Sequence, residues 1–571
     1  MTAAAPNFRN HREEKQSMKT LRRRRGVAPG AAAVLVLATG LTACGSGSSS
    51  TGEAGSSAAP VQGGVISYAH VQEPPCIFGG WIQQAYVSRN VLDGLVAEAD
   101  DGSIVPWLAT SWTKSADGQS YTFTLKPGVK FTDGTPLDAA AVAWNFNFWE
   151  NPPDPSTGNS TAKVSLDPYY KGAKAIDATH VEIDLTKPYG EFLRLITQGY
   201  FGIQSPTAFK KDGVKKNCEA PIGSGAFTVA EWKHGEKIVL KRNPNYTSWP
   251  ANAKHNGPAY VDEVDWKFVQ DNVSRYASLT TGQSQVVYEV PTAQWKAAQN
   301  TYQTIKYITP GHPPSFFLDT TDGPFADKRV RQAFAFGADR KGAVEAGFHG
   351  VIPYEGNPAV SQATPGYNAQ AANDYPYDAA KANTLLDQAG WVRGPDGIRI
   401  KNGKPLTIRI PYGAGVIVPQ EASAALQILQ QQWKQVGFDV KLIPLSQADL
   451  FAGKDSQPGS FDASPSYWTS PSPAILWIVY RPSTKAAPNG NNGSFYNDAR
   501  LAQVIQAANT EQDPTKAELL YQQAQQIVQD NAAGVGFYTQ YSLYAYSKTL
   551  HNFWLEKSQG EPVFADAYYT K

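Results

Sequence analysis

Three cysteines, two methionines and eight scattered histidines in 571 residues leave little material for several kinds of chemistry. No two histidines form HExxH or another close pair, and no cysteine belongs to a CxxC, so a zinc site has no sequence support and no metal or cofactor is expected. GxSxG elbows, Walker A loops and a GxGxxG after a strand are absent as well. Ser224, flanked by Gly223 and Gly225, reads as a small residue in a tight turn rather than a nucleophile. Absent motifs lower the case for an enzyme without excluding a hydrolase, because paired carboxylates need not be adjacent in sequence. There is no block of basic charge in the body either. The formal charge of +1 comes from a leader with eight Lys/Arg; without residues 1–43 the chain has 43 basic and 48 acidic residues, a net −5. Such a body has no electrostatic footprint for nucleic acid.

What is present begins with an address. Arg22 to Arg25 precede an apolar stretch from Val27 to Leu41, about 15 residues long and rich in small side chains, too short to span a bilayer comfortably. It fits a secretory signal over residues 1–43. Met18 opens a well-formed signal start of its own, so translation from Met1 or Met18 gives the same mature protein. Leu41-Thr42-Ala43-Cys44-Gly45 resembles the bacterial lipobox, which marks Cys44 for lipidation. The arginines lack the usual sequel of a twin-arginine signal, which points to general secretion. Residues 44–61 are mostly Gly, Ser, Thr and Ala and read as a flexible tether. The expected location is outside the cytoplasm, held to the cell membrane by lipid on Cys44. No later run of about 18 apolar residues occurs. Cys76 and Cys218 then lie in an oxidising compartment, as one disulfide or as two separate buried thiols.

The body mixes strand and helix periods. Tyr121, Phe123 and Leu125 alternate, pause at Pro127-Gly128 and resume at Val129 and Phe131, before Asp133-Gly134-Thr135-Pro136 closes the segment as a hairpin. Val181, Ile183 and Leu185 alternate likewise. Asp327, Asp378 and Asp513 sit where helix caps belong. Ala422, Ala425, Leu426, Leu429, Trp433 and Val436 form one helical stripe that stops at Gly437, followed by a strand through Val440 and Leu442. Helix-then-strand alternation argues for an α/β architecture.

Four ordered blocks carry a resemblance. The first runs from Gly94-Leu95-Val96 through Pro106-Trp107-Leu108-Ala109 to Gly128-Val129-Lys130-Phe131-Thr132-Asp133-Gly134-Thr135-Pro136. The second is Pro221-Ile222-Gly223-Ser224-Gly225-Ala226-Phe227 with Arg242-Asn243-Pro244-Asn245-Tyr246. The third is Pro324-Phe325-Ala326-Asp327-Lys328-Arg329-Val330-Arg331, and the fourth runs from Tyr377-Asp378 to Ala389-Gly390. Together they resemble the family 5 extracellular solute-binding proteins of ABC importers, the dipeptide and oligopeptide type. The resemblance implies an α/β, two-lobed, periplasmic-binding-protein-like fold of the class II type with an extra N-terminal subdomain. It implies a first lobe over 62–310 with the inserted subdomain at about 97–219, a second lobe over 311–530, and a return to the first over 531–571. It also implies a monomeric, non-enzymatic receptor that closes over a solute and hands it to a membrane permease.

The chain departs from the family where charge would matter. Peptide binders hold the ammonium with an Asp after a Trp, but Tyr467-Trp468-Thr469-Ser470-Pro471-Ser472-Pro473 has no acid; Asp462 or Asp449 could reach in instead. Some dipeptide binders use an Arg where Tyr412-Gly413-Ala414-Gly415-Val416-Ile417-Val418-Pro419-Gln420 has no cation. A buried ammonium without a partner costs several kcal/mol, so a short free dipeptide fits poorly. By analogy the cleft residues are aromatic and hydroxylic: Phe78, Trp81, Tyr412, Tyr467, Trp468, Thr469 and Ser470, suited to stacking on apolar side chains or sugar rings. The expected solute is an oligopeptide; the alternatives are an oligosaccharide or other neutral solute. A secreted hydrolase and a sensory lipoprotein without a transporter are the rivals of another class.

Overall fold

The computed structural model describes residues 59–80, 85–150, 161–415, 417–446, 449–450, 453–454, 459–487, 489 and 491–571. The signal segment, Met18, Cys44, nearly all of the tether and Trp81 lie outside the described residues. Val61, at the end of the expected tether, already donates its N–H to Tyr569 O at 2.8 Å.

Seven strands form the largest sheet, in the order Gln303–Ile308, Tyr541–Tyr546, Val286–Val287, Val65–His70, Glu263–Phe268, Lys237–Arg242 and Phe227–Lys233. Val65–His70 runs parallel to both Glu263–Phe268 and Val286–Val287, so three strands end on the same side, at His70, Phe268 and Val287. Ile66, Tyr68, Leu240, Val264 and Trp266 build the core of this lobe.

A second sheet comes from the chain between these strands. Ala109–Lys114, Ser120–Leu125, His180–Leu185 and Tyr170–Ala175 pair antiparallel in that order. Both Ser120–Leu125 and His180–Leu185 alternate between half-buried and buried positions, as period-two patterning requires. The partners of Ser120–Leu125 are the strands on either side of it in this sheet. The expected hairpin around Asp133 shrinks to one bridge, Lys130 with Pro136. The physical reason is Pro127-Gly128, where Gly128 takes φ +77° and turns the chain away from its own strand.

The other lobe is built on Gly311–Leu318, which lies between Ala463–Thr469 and Gly534–Gly536. Beside it, Thr407–Gly413 and Asp439–Leu445 pair in parallel across the helix Gln420–Val436, the crossover such a pair needs. The apolar stripe of that helix is buried as its spacing predicts. Asp327, Asp378 and Asp513 each cap a helix by accepting backbone N–H bonds.

Two segments connect the seven-stranded sheet to this lobe, Ile308 to Gly311 and Gly536 to Tyr541, and Thr309 N–H donates to Gln540 O between them at 3.0 Å. Gly311 has φ +118°, and a Cβ there would stand 2.3 Å from Trp468 O, so only glycine lets the connection pass the strand Ala463–Thr469. The lobes also touch far from this connection. Asn509 is fully buried; its Nδ2 donates to Tyr169 Oη at 3.0 Å, its Oδ1 accepts from Tyr521 Oη at 2.8 Å, and its carbonyl accepts Gly190 N–H at 2.9 Å. Cys76 and Cys218 form a disulfide, with Cα atoms 4.6 Å apart, that ties the loop after the first strand to the helix Pro206–Glu219.

Candidate functional site

A cavity of about 480 Å³ lies between the two lobes. One wall is Val71 and Gln72 after the strand Val65–His70, Gln270, Asp271, Asn272 and Arg275 after Glu263–Phe268, and Glu289 after Val286–Val287; the opposite wall is Ala414, Gly415, Pro419 and Gln420, after Thr407–Gly413. The cavity therefore sits at the carboxyl ends of parallel strands from both sheets, the crevice where open α/β sheets place ligands.

Charge in this crevice is carried by a few groups. Arg275 is almost wholly buried and donates Nε–H to Tyr288 O at 2.7 Å and Nη1–H to Val269 O and Gln270 O at 2.5 and 2.9 Å. Its Nη2 reaches Glu289 Oε2 at 3.2 Å. Burial pushes the Glu289 carboxyl up, against the pull of Arg275 and with the added repulsion of Glu421 and Glu561. Glu289 also holds φ +49°, the left-handed region that a non-glycine residue seldom occupies. Behind it, His70 stacks on Tyr288 with ring centroids 5.0 Å apart and presents Nε2 to Glu561 Oε1 at 3.4 Å. Glu421, from the other wall, accepts from Thr292 N–H at 3.3 Å and Asn272 Nδ2 at 3.4 Å.

Burial and the nearby Glu289 carboxylate raise the phenols of Tyr288, Tyr467, Tyr538 and Tyr541. The Tyr538 hydroxyl donates to Ile417 O at 3.3 Å.

The residues expected at the cleft divide. Alternation along Ala463–Thr469 sends Tyr467 and Thr469 to one face and Ser466 and Trp468 to the other. Tyr467 and Thr469 are both half-buried, and Tyr467 does not line the interlobe cavity. Trp468 lines a separate space of about 130 Å³ with His312 and Phe317, inside the second lobe. Ser470 is buried in a turn, its Oγ donating to Ser472 O at 3.3 Å. Tyr412 belongs to the apolar core of the second lobe, and Phe78 to that of the inserted sheet, packed on Phe148 and Phe209. Core packing accounts for both, since an aromatic side chain in a loop or at a strand end serves either purpose. Neither spare acid reaches the cavity: Asp462 pairs with Arg409 at 2.9 Å and Asp449 with Lys454 at 2.5 Å.

Residues 103–489 match the family described as bacterial extracellular solute-binding proteins, family 5, middle region. The chain belongs to family 5 of these proteins. Its curated relatives include the glutathione-binding protein GsiB of Salmonella typhi, 26% identical over 481 residues, which span 83% of this chain and 88% of the relative. GsiB of Escherichia coli K12 matches to the same extent. Among solved structures, the oligopeptide-binding protein AppA of Bacillus subtilis with a nonapeptide superposes with a TM-score of 0.75 at 21% identity, covering 90% of this chain and all of that one. DppA of Helicobacter pylori with the peptide STSA gives 0.75 at 22%, covering 90% of this chain and 99% of that one. These likenesses establish the two-lobed α/β fold. As a family 5 member the chain is a solute-binding protein of ABC importers, a class that works outside the cytoplasm. No helix among the described residues is long and apolar enough to cross a membrane.

The residues expected at the cleft come from both lobes, Phe78 and Trp81 from the first and the rest from the second, and Gln72, Arg275, Glu289, Glu421 and Glu561 are not among them. One signal was available: Glu289 follows the short apolar run Val286-Val287-Tyr288 and precedes Pro291, the end of a strand where ligand contacts gather.

Proposed function

We propose that this family 5 protein is a lipid-anchored receptor that captures an oligopeptide between its lobes and delivers it to an ABC permease. The observation that carries the reading is the cavity of about 480 Å³ at the carboxyl ends of strands from both sheets, a size within the range of small-solute sites. Amide side chains from Gln72, Gln270, Asn272 and Gln420 line it alongside Glu289 and Arg275, a wall able to meet the alternating donors and acceptors of a peptide backbone. The relatives whose names state a peptide ligand, AppA and DppA, support that choice of solute. No covalent step is involved. The solute gains contacts with both walls only when the lobes are together, so binding favours closure. Lipid on Cys44 keeps the receptor at the membrane.

The reading is tested by titrating the purified protein with peptides of two to nine residues and with neutral oligosaccharides in a calorimeter. Saturable binding of peptides supports it; binding of sugars alone would replace the solute class. For the anchor, Cys44→Ala expressed in a lipoprotein-processing bacterium is expected to move the protein from the membrane pellet to the soluble fraction, and an unchanged pellet would contradict it.

A further inference from the structure

A second cavity, of about 660 Å³, shares no lining residue with the one between the lobes. It lies against the return connection from Gly536 to Tyr541. Its wall includes Pro353, Tyr354 and Gly356, from a loop held to that connection: Thr539 N–H donates to Pro353 O at 3.1 Å and Glu355 N–H to Phe537 O at 3.3 Å. The first lobe contributes Lys306, on the strand Gln303–Ile308, whose Nζ donates to Val351 O of the second lobe. The volume is within the range of small-ligand pockets.

Three cations line this cavity, Lys306, Arg340 and Lys341, and none of them joins an ion pair among the described residues. Arg340 is 4% exposed. Its Nη1 donates to Gly536 O at 2.8 Å and its Nη2 to Tyr375 O at 2.7 Å, while its Nε–H is buried with no hydrogen-bond partner. The Tyr354 ring lies 5.3 Å from this guanidinium. A guanidinium keeps its proton in a protein, so a buried one without a carboxylate carries a desolvation cost that an anion would offset. The acids nearby are spent or distant. Asp339 caps the helix Arg340–Gly347 by accepting Gly342 N–H at 2.9 Å, and Glu345 is exposed further along that helix. Glu355 accepts Tyr367 Oη–H and the N–H groups of Asn357 and Gln362. Desolvation lowers the Lys306 ammonium. The rest of the wall is aromatic: the hydroxyls of Tyr367 and Tyr375 bond Glu355 and Gln529 O, which leaves their rings to a ligand, and Tyr377 is 50% exposed.

We infer that this cavity is a second binding site, for an organic anion: a carboxylate or a phosphate ester whose charged end meets Arg340 and Lys306 and whose apolar body lies on the tyrosines. Charge-assisted bonds from Arg and Lys to such oxygens are the strong ones, and aromatic walls suit an apolar body. The site is independent of the solute cavity. It sets the anion where both lobes meet one of the two connections between them, since Lys306 belongs to the first lobe and Arg340 holds Gly536 at the start of the return.

Calorimetric titrations of the purified protein at fixed ionic strength test this with phenyl phosphate, benzoate, benzyl alcohol and inorganic phosphate. The better of the two phenyl anions is expected to bind ten-fold or more tightly than benzyl alcohol and than inorganic phosphate. Which of the two it is separates a phosphate ester from a carboxylate. Arg340→Gln is expected to abolish that binding. Because Arg340 also holds Gly536, a double variant of the exposed lysines, Lys306→Gln with Lys341→Gln, carries the test if Arg340→Gln fails to fold; a ten-fold or greater loss is expected. Lys404→Gln, on an exposed strand outside both cavities, is expected to change nothing. The melting temperature of each ligand-free variant shows that it has folded. The inference is overturned if benzyl alcohol or inorganic phosphate binds as tightly as the better phenyl anion, if no probe binds, or if the double lysine variant folds and keeps full affinity.

Discussion

At the scale of single residues, burial without a charged partner sets the pH dependence of this protein. Glu355 is 1% exposed, accepts Tyr367 Oη–H at 2.7 Å and the N–H groups of Asn357 and Gln362 at 3.0 and 3.2 Å, and is still pushed up to about 7 because desolvation outweighs those bonds. Asp93, fully buried under Ser224, Ser248 and Tyr246, is raised to about 6 for the same reason. A carboxyl raised in the folded state keeps its proton after the unfolded chain has lost its own, so stability falls as pH rises between the two values. For Glu355 the window is about 4.5 to 7, and the fall is about 3 kcal/mol. The melting temperature is therefore expected to drop from pH 5 to pH 8, and Glu355→Gln to flatten much of that slope. An unchanged slope in the variant would contradict the assignment. Ser224 also shows what sequence conceals: its glycine neighbours suggested a turn, while its hydroxyl bonds Asp93 at 2.8 Å across 131 residues.

Elements follow the sequence closely where the pattern is local and loosely where it is not. The stripe from Ala422 to Val436, its stop at Gly437 and the caps at Asp327, Asp378 and Asp513 depend on neighbours within four residues, so spacing alone shows them. Strand partners depend on segments far away, so the alternation of Ser120–Leu125 does not show that it pairs with Ala109–Lys114 and His180–Leu185. Two substitutions probe the legible part. Asp327→Ala removes a cap and is expected to lower stability by about 1 kcal/mol. Gly437→Ala is expected to cost more, over 2 kcal/mol: φ is +104° there, and a Cβ would lie 2.5 Å from Cγ of Arg399, a side chain fixed by its bonds to Val436 O and Asn383 Oδ1. Chemical denaturation of both variants measures this, and equal losses would contradict the argument.

For the whole molecule, four ordered blocks of sequence sufficed to place the chain in its family and to anticipate two lobes, but not which residues meet between them. Of the residues expected at the cleft, Phe78 and Tyr412 pack into cores, and Tyr467 and Trp468 line a smaller space apart from the interlobe cavity. Gln72 and Glu289 come from loops and Arg275 from the helix Asn272–Thr280, three segments that only the strand order of the seven-stranded sheet brings together. The Asn509 contact belongs to the same scale. Asn509→Ala leaves the buried hydroxyls of Tyr169 and Tyr521 with fewer partners, a loss of about 1–3 kcal/mol that falls on the lobes-together arrangement. Solute affinity is expected to weaken ten-fold or more, measured by calorimetry; full affinity in a folded variant would show that this contact does not support closure.

The central claim is that the crevice between the lobes is a solute site, and the most direct measurement is the melting temperature of the protein, stripped of co-purified ligand, against a panel of peptides and neutral oligosaccharides. A peptide present at 100 times its dissociation constant is expected to add about 2.7 kcal/mol to stability. That rise should vanish when Glu289 and Gln270, both on the cavity wall, are replaced by alanine in a chain that still folds. A melting temperature indifferent to every peptide and sugar, or a rise that survives the double replacement, would contradict the account.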